Sequence, residues 1–295
     1  MPKSISISKV DGKPGQVYYP LSLDEVPKPS PQGSQLLLKI HAAALNHRDL
    51  FIRQHLYPGT TFGVPLLADG CGTVVAVGSS ADQSWKGKRV VVNPGQGWKD
   101  NLEGPEDKGG YKILGGTKTI PIGTLQEFMI IEQSEVEEAP SHLSSVEAAA
   151  VPLTGLTAWR AVMVKCGAHN LQPGKNILVT GIGGGVALMA LEFARTAGAN
   201  VYVSSGSEEK IQKAIKLGAK GGINYKEAGW EKKLLAMLPD SNKQLDAIVD
   251  GAGSDVVEKG AKMLKVSRCN CPEVHANVRP PEWRNNFYLR HDNWT

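Results

Sequence analysis

The sequence predicts an α/β protein in two parts. An N-terminal part of β-strands and long Gly/Pro loops precedes a C-terminal part in which strands and helices alternate as a doubly wound parallel sheet. Three observations predict this. Up to about residue 133 the apolar runs are short, strand-like and broken by glycine and proline. The character changes at "SSVEAAAVPLTGLTAWRAV" (144–162), which has helical spacing. From residue 176 onward apolar strands and amphipathic helices follow one another through short connections, the pattern of βαβ units.

Taken in order, "MPKSISISKV" alternates polar and apolar residues and reads as a strand. "SQLLLKIHAAAL" (34–45) and "GCGTVVAVGSS" (70–80) are strands, and "GKRVVVNPG" (87–95) is a third that ends at Pro94-Gly95. Between the first two, "NHRDLFIRQHLYPG" (46–59) has the spacing of a short helix that stops at Pro58-Gly59. Residues 96–123 form a polar, Gly-rich loop long enough to serve as a lid. "LQEFMIIEQ" (125–133) resumes the strand pattern, and Ser144 or Ser145 caps the helix of 144–162. "NILVTG" (176–181) is a strand, 184–197 a helix, and "NVYVS" (200–204) a strand. Ser207 caps a helix ending at "LGA" (217–219). "GGINY" (221–225) is a strand, 230–238 a helix, and "LDAIVDGAG" (245–253) a fourth strand with its turn. "SDVVEKGAKMLK" (254–265) is the helix after it.

Composition excludes several classes. The 295 residues carry a net charge of +4, with 41% hydrophobic and 21% charged residues, and no Lys/Arg block of nucleic-acid type. No apolar run approaches the roughly 20 residues that span a bilayer. Four cysteines, Cys71, Cys166, Cys269 and Cys271, are too few for a disulfide scaffold and fit a soluble protein of a reducing compartment, the cytoplasm.

The most specific local signal is "VTGIGGGVALMALEFARTAGANVYVSSGSEEK" (179–210). Gly181, Gly183, Gly184 and Gly185, followed by Val186 and Ala187, lie where a strand turns sharply into a helix. Without Cβ atoms the backbone can approach a pyrophosphate, and the helix N-terminus presents free N–H groups. The match "GIGGGVA" follows a strand, opens a helix and lies within a βαβ unit, the context the dinucleotide fingerprint requires. An NAD site carries Asp or Glu at the end of the second strand to hold the ribose 2′-OH. Here Ser204, Ser205 and Ser207 occupy that end and Lys210 follows, a set that suits a 2′-phosphate and hence NADPH. The alternative is a serine cap beside a solvated lysine.

Residues 20–265 resemble the medium-chain dehydrogenase/reductase superfamily, and within it the zinc-independent quinone oxidoreductase-like branch related to zeta-crystallin. The resemblance rests on "AAALNHRDLFIRQHLYPG", "LLADGCGTVVAVG", "AAAVPLTGLTAWRA", the glycine-loop stretch and "KLGAKGGINYK", in the family's order. It implies a GroES-like β-barrel catalytic domain (1–143), a Rossmann NADP-binding domain (144–266), and a small-molecule carbonyl or quinone substrate. The zinc-dependent branch uses a Cys, a His-Glu pair and a second Cys or Asp as catalytic ligands. Here these positions fall on Asn46, on "LLADG" (66–70) and on "VPLTGLT", and 93–123 has no cysteine for a structural zinc lobe. Cys269, Cys271 and His275 form an isolated cluster, so no metal is expected.

Without a metal, an acceptor that spreads its own negative charge is favoured, and hydrogen-bond donors suffice to polarise its carbonyl. By resemblance, Asn46 and Tyr57 lie at that site and Thr154 lies near the nicotinamide. A structural role is the alternative for the first two, Tyr57 packing on its turn and Asn46 capping its helix. Lys210 and Tyr225 match positions that meet the adenosine phosphate, and Gly251 and Gly253 border the cofactor. The functional expectation is hydride transfer from NADPH to a conjugated carbonyl or quinone. An aldehyde/ketone reductase or alcohol dehydrogenase, and a catalytically weak NADPH-binding protein, are the alternatives. Residues 267–295, with Pro272, Pro280 and Pro281, show no strand pattern and depart from the family. They read as a divergent, disordered tail on a truncated, incomplete sheet whose fourth strand is left as an uncovered edge, with the family's homodimer lost.

Overall fold

The computed structural model describes residues 1–265 apart from Leu102, Ser254 and the side chain of Val257. The predicted tail of 267–295, with Cys269, Cys271 and His275, lies outside the described residues. The chain divides into two compact units, Met1–Leu153 and Thr154–Thr295.

In the first unit β1 (Lys3–Ile7) pairs antiparallel with β2 (Leu21–Glu25), a strand whose exposed Leu21 and Leu23 give it little sequence signal. A five-stranded antiparallel sheet forms the main body. Its members are β3 (Gln35–Ala44), β4 (Asp69–Val77), β5 (Arg89–Val92), β8 (Phe128–Glu132) and β9 (Val136–Glu138), in the order β8-β3-β4-β5-β9. Alternate residues turn inward, so Leu36, Leu38, Val74, Val90, Val92, Met129 and Ile131 make one core. Bulges at Leu37/Leu38 and Ile40/Ala42 bend β3 against β4.

The helix expected over 46–59 is shorter. It runs as α1 (His47–Arg53) and stops at Gln54, because His55 takes a left-handed φ of 56° before Pro58-Gly59 is reached. The segment expected as a loop over 96–123 carries structure at its start and in its second half. β6 (Gly95–Gln96) pairs with β7 (Lys112–Ile113), and Leu114, Thr117 and Thr124 are buried. A Cβ on Gly123 would lie 2.1 Å from the Pro65 carbonyl oxygen, so this segment packs backbone on backbone against 65–67. The expected single helix over 144–162 is divided into α2 (Ser145–Ala149) and α3 (Pro152–Trp159), followed by a π-helical turn, Arg160–Lys165. Pro152 cannot donate a helical bond, which separates the two. Ser144 caps α2 in a capping box with Glu147, and Ala148 and Ala149 pack on Cys71 of the first unit.

The second unit is a parallel four-stranded sheet. It contains β10 (Asn176–Val179), β11 (Asn200–Ser205), β12 (Gly221–Asn224) and β13 (Ala247–Val249), in the order β12-β11-β10-β13. The helices are α4 (Gly185–Thr196), α5 (Glu208–Lys216), α6 (Trp230–Met237) and α7 (Val256–Met263). Ile177, Val179, Val201 and Val203 pack with α4 and α5 on one face. Leu178, Tyr202 and Ile248 pack with Trp230, Leu234 and Met263 of α6 and α7 on the other. Burial on both faces is why these strands read as continuous apolar runs. Among the described residues β13 pairs with β10 alone and forms an edge of the sheet, and the segment just before it meets the chain after α7. Leu264 bridges Leu245 in parallel, and the Lys265 N–H donates to the Leu245 carbonyl at 2.8 Å.

Candidate functional site

Each unit holds its own polar cluster. In the first, Asn46 is the N-cap of α1, and Asp49 Oδ2 accepts the Asn46 N–H at 2.8 Å. The Asn46 amide donates through Nδ2 to Asp69 Oδ2 at 2.8 Å, and the Leu153 N–H donates to Asp69 Oδ1 at 2.9 Å. Asp69 is 1% exposed, and burial pushes its carboxyl up to about 6. Arg48 and Asp49 are a buried ion pair at 3.1 Å, with Arg48 also donating to the Gly115 carbonyl at 3.0 Å. Burial outweighs that pairing and raises the Asp49 carboxyl.

Tyr57 lies in the same cluster. The Arg48 guanidinium sits 4.7 Å from its ring centroid, and Thr60 Oγ1 donates to its carbonyl. The Tyr57 hydroxyl makes no hydrogen bond among the described residues. Tyr111 lies across Gly95, whose Cβ would fall 2.4 Å from its Cζ. Its phenol is held above the ordinary range by burial and then by the Asp69 charge. Arg48, Asp69 and Tyr111 were not singled out in the sequence. Their partners are distant along the chain, and only the fold brings them together.

In the second unit the strand-to-helix turn has the cradle geometry. Gly181 and Gly183 have φ of 67° and 106°, a region that favours glycine. Gly184 caps α4 without a side-chain bond, so the first N–H groups of the helix are not taken by a capping side chain. A Cβ on Gly185 would lie 2.7 Å from Thr154 Cγ2, which places Thr154 against the loop. A Cβ on Gly183 would lie 2.6 Å from Lys210 Cδ and 3.3 Å from its Nζ. Lys210 therefore lies across the loop and brings its ammonium there. Val186 is half-buried and Ala187 turns into the core.

The remaining residues border this turn. Ser204 is 2% exposed, its carbonyl accepts the Ile182 N–H, and its hydroxyl is buried without a partner. Ser205 Oγ accepts the Ser207 N–H at 3.2 Å, which leaves its own proton to donate. Tyr225 is 41% exposed, and a Cβ on Gly206 would lie 2.9 Å from its Oη. The turn of Gly251–Gly253 is pinned by Asp250. Its Oδ1 accepts from the Thr180 hydroxyl and from the N–H groups of Ala252 and Gly253, while the Gly251 N–H donates to Thr180 Oγ1. A Cβ on Gly181 would lie 3.4 Å from Ala252, so this turn abuts the loop. The glycine cradle and the N-terminus of α4 fit a dinucleotide pyrophosphate, with the Lys210 ammonium beside them. Among the described residues, no group of three or more His, Cys, Asp or Glu side chains is placed to hold a metal. No helix there is long and apolar enough to cross a membrane.

Both units have counterparts in one class of two-domain oxidoreductase. The alcohol dehydrogenase GroES-like domain matches residues 32–141, and the zinc-binding dehydrogenase domain matches 185–267. The chain belongs to the medium-chain dehydrogenase/reductase superfamily, a family of nucleotide-binding oxidoreductases. It is 47% identical to a "Zinc-type alcohol dehydrogenase-like protein YogA" of Leptosphaeria maculans over 271 residues, 90% of this chain and 75% of that protein. It is 27% identical to the quinone oxidoreductase of Mus musculus over 242 residues, 81% of this chain and 64% of that protein. The crystal structure of an NAD-dependent alcohol dehydrogenase superposes with a TM-score of 0.76 at 33% identity, covering 89% of this chain and 74% of that one.

Proposed function

We propose that the protein is an NADPH-dependent oxidoreductase that delivers hydride to a conjugated carbonyl or quinone without a metal. The observation that carries the cofactor half is Lys210 lying across Gly183. An ammonium there, with no acid ending β11, favours a phosphorylated ribose over a free 2′-OH. Gly181, Gly183, Gly184 and Gly185 with the N-terminus of α4 would hold the pyrophosphate, and Gly251 and Gly253 would border it. Lys210, Tyr225 and the Ser205 hydroxyl would meet the 2′-phosphate. Ser204 supports the loop through its carbonyl, and its buried hydroxyl, without a protein partner among the described residues, would turn to the cofactor side of the turn. Thr154 would lie near the nicotinamide. When bound, the reduced nicotinamide supplies the hydride.

The chain's own part at the acceptor is donation. Asn46 spends one N–H on Asp69 and keeps a second for a carbonyl oxygen. The Tyr57 hydroxyl retains its proton, with its ring steadied by Arg48. Two neutral donors suffice where the acceptor delocalises the charge it gains; water then supplies the proton, to the α-carbon of an enone or to the oxygens of a quinone. The mouse relative's name, quinone oxidoreductase, supports this acceptor class. The fungal relative's name favours a second reading, an alcohol dehydrogenase or aldehyde/ketone reductase.

Lys210→Ala tests the cofactor half. A charge-assisted bond is worth about 1.5–3 kcal/mol, so NADPH binding should weaken roughly ten- to a hundredfold with NADH nearly untouched. Equal loss for both cofactors would sink the assignment.

A further inference from the structure

Beside Tyr225, a second side chain of the "GGINYK" stretch, Lys226, also reaches the turn between β11 and α5. A Cβ on Gly206 would lie 2.7 Å from Lys226 Cε and 2.9 Å from Tyr225 Oη. Gly206 is outside the left-handed region, so its lack of a side chain serves close approach and not backbone freedom. Lys226 is exposed, yet it folds back along the turn beside the Tyr225 hydroxyl. The start of that fold is fixed by two bonds. The Lys226 N–H donates to Asn224 Oδ1 at 3.1 Å, and the Tyr225 N–H donates to the Ser205 carbonyl at 3.2 Å.

No carboxylate draws Lys226 there. Its neighbour Glu227 is paired with Lys233, Glu209 with Lys213, and Glu208 accepts from Gln212. Among the described residues neither Lys226 nor Lys210 enters an ion pair. Two lysines thus border the chain on either side of Ser205: Lys210 packs beside Gly183 and Lys226 beside Gly206, the latter with the Tyr225 hydroxyl.

On the footing of the NADPH reading above, we propose that Lys226 is a specificity-determining residue, a second cation that joins Lys210 at the 2′-phosphate. Gly206 is the position that lets it do so. A side chain there would push the flexible ends of Lys226 and Tyr225 off the turn while leaving every charge in the chain.

The test is calorimetric titration of the full chain with adenosine 2′,5′-bisphosphate and with adenosine 5′-monophosphate. The variants are Lys226→Ala, Lys226→Arg, Gly206→Ala and Lys210→Ala. Bisphosphate affinity should fall roughly tenfold in Lys226→Ala and in Gly206→Ala, with the monophosphate unchanged and Lys226→Arg restoring most of the loss. If Lys210→Ala weakens the bisphosphate but Lys226→Ala and Gly206→Ala do not, the role of Lys226 is refuted and the NADPH reading stands. If the parent chain binds both nucleotides equally, the NADPH reading falls and Lys226 falls with it.

Discussion

Replacing Asp69 by asparagine should change how the protein's stability depends on pH. The carboxyl is 1% exposed and burial raises it from 3.8 to about 6. A group whose folded pKa lies above its unfolded value binds more protons folded than unfolded between the two values. Its contribution to stability therefore falls as pH rises from 3.8 to about 6 and levels off above that. At about 1.4 kcal/mol per unit, ionised Asp69 costs about 3 kcal/mol near neutral pH. Asp69→Asn keeps an acceptor for the Leu153 N–H and removes the charge, and the Asn46 amide can turn its oxygen to the new carboxamide. Other carboxyls, Asp24 and Asp82 among them, are lowered by hydrogen bonds and pull the other way, so the difference between variant and parent is the quantity to follow. Thermal unfolding of both proteins from pH 4 to pH 8 should show that difference moving in the variant's favour up to about pH 6.5 and flat beyond. The full change corresponds to about 6–12 °C for a unit of this size. A difference independent of pH would refute a buried, ionisable Asp69.

Three further outcomes follow from the same clusters. Arg48→Ala strips the partner from Asp49, 4% exposed, and should cost about 3–5 kcal/mol in urea unfolding; a loss under about 1 kcal/mol would mean the pair is hydrated. Thr180→Val removes the hydroxyl that donates to the buried Asp250 carboxylate and accepts from the Gly251 N–H, and should cost about 1–3 kcal/mol. Amide exchange at Gly251–Gly253 should then accelerate, whereas unchanged protection would show that Asp250 holds the turn alone.

The strands of both units were legible because each buries a regular set of apolar residues. β10 and β11 face two helical layers and read as unbroken apolar runs, and the glycine loop is a local motif. The features that were not legible are long-range. Residues 96–123 read as a polar, Gly-rich loop, and two of its glycines, Gly115 and Gly123, are there so that the chain can press on the backbone of 65–67. Asp69 looks like one acid in an apolar strand entry, and its meaning comes from Asn46 and Leu153, 23 and 84 residues away. Ser204 and Ser205 end β11 and are both buried; strand alternation turns Ser204 to the face of Tyr202 and Ser205 to that of Val203, which the sequence alone does not tell apart from two solvated serines.

The most direct measurement of the central claim is cofactor oxidation by the purified protein across a quinone, an enone and a saturated aldehyde, with NADPH and with NADH, before and after a zinc chelator. The account predicts consumption of NADPH with the quinone or the enone, little with the aldehyde or with NADH, and rates that the chelator leaves unchanged. Reduction of the aldehyde at an equal rate, or activity that the chelator abolishes and zinc restores, would contradict it and place the protein with the metal-dependent alcohol dehydrogenases.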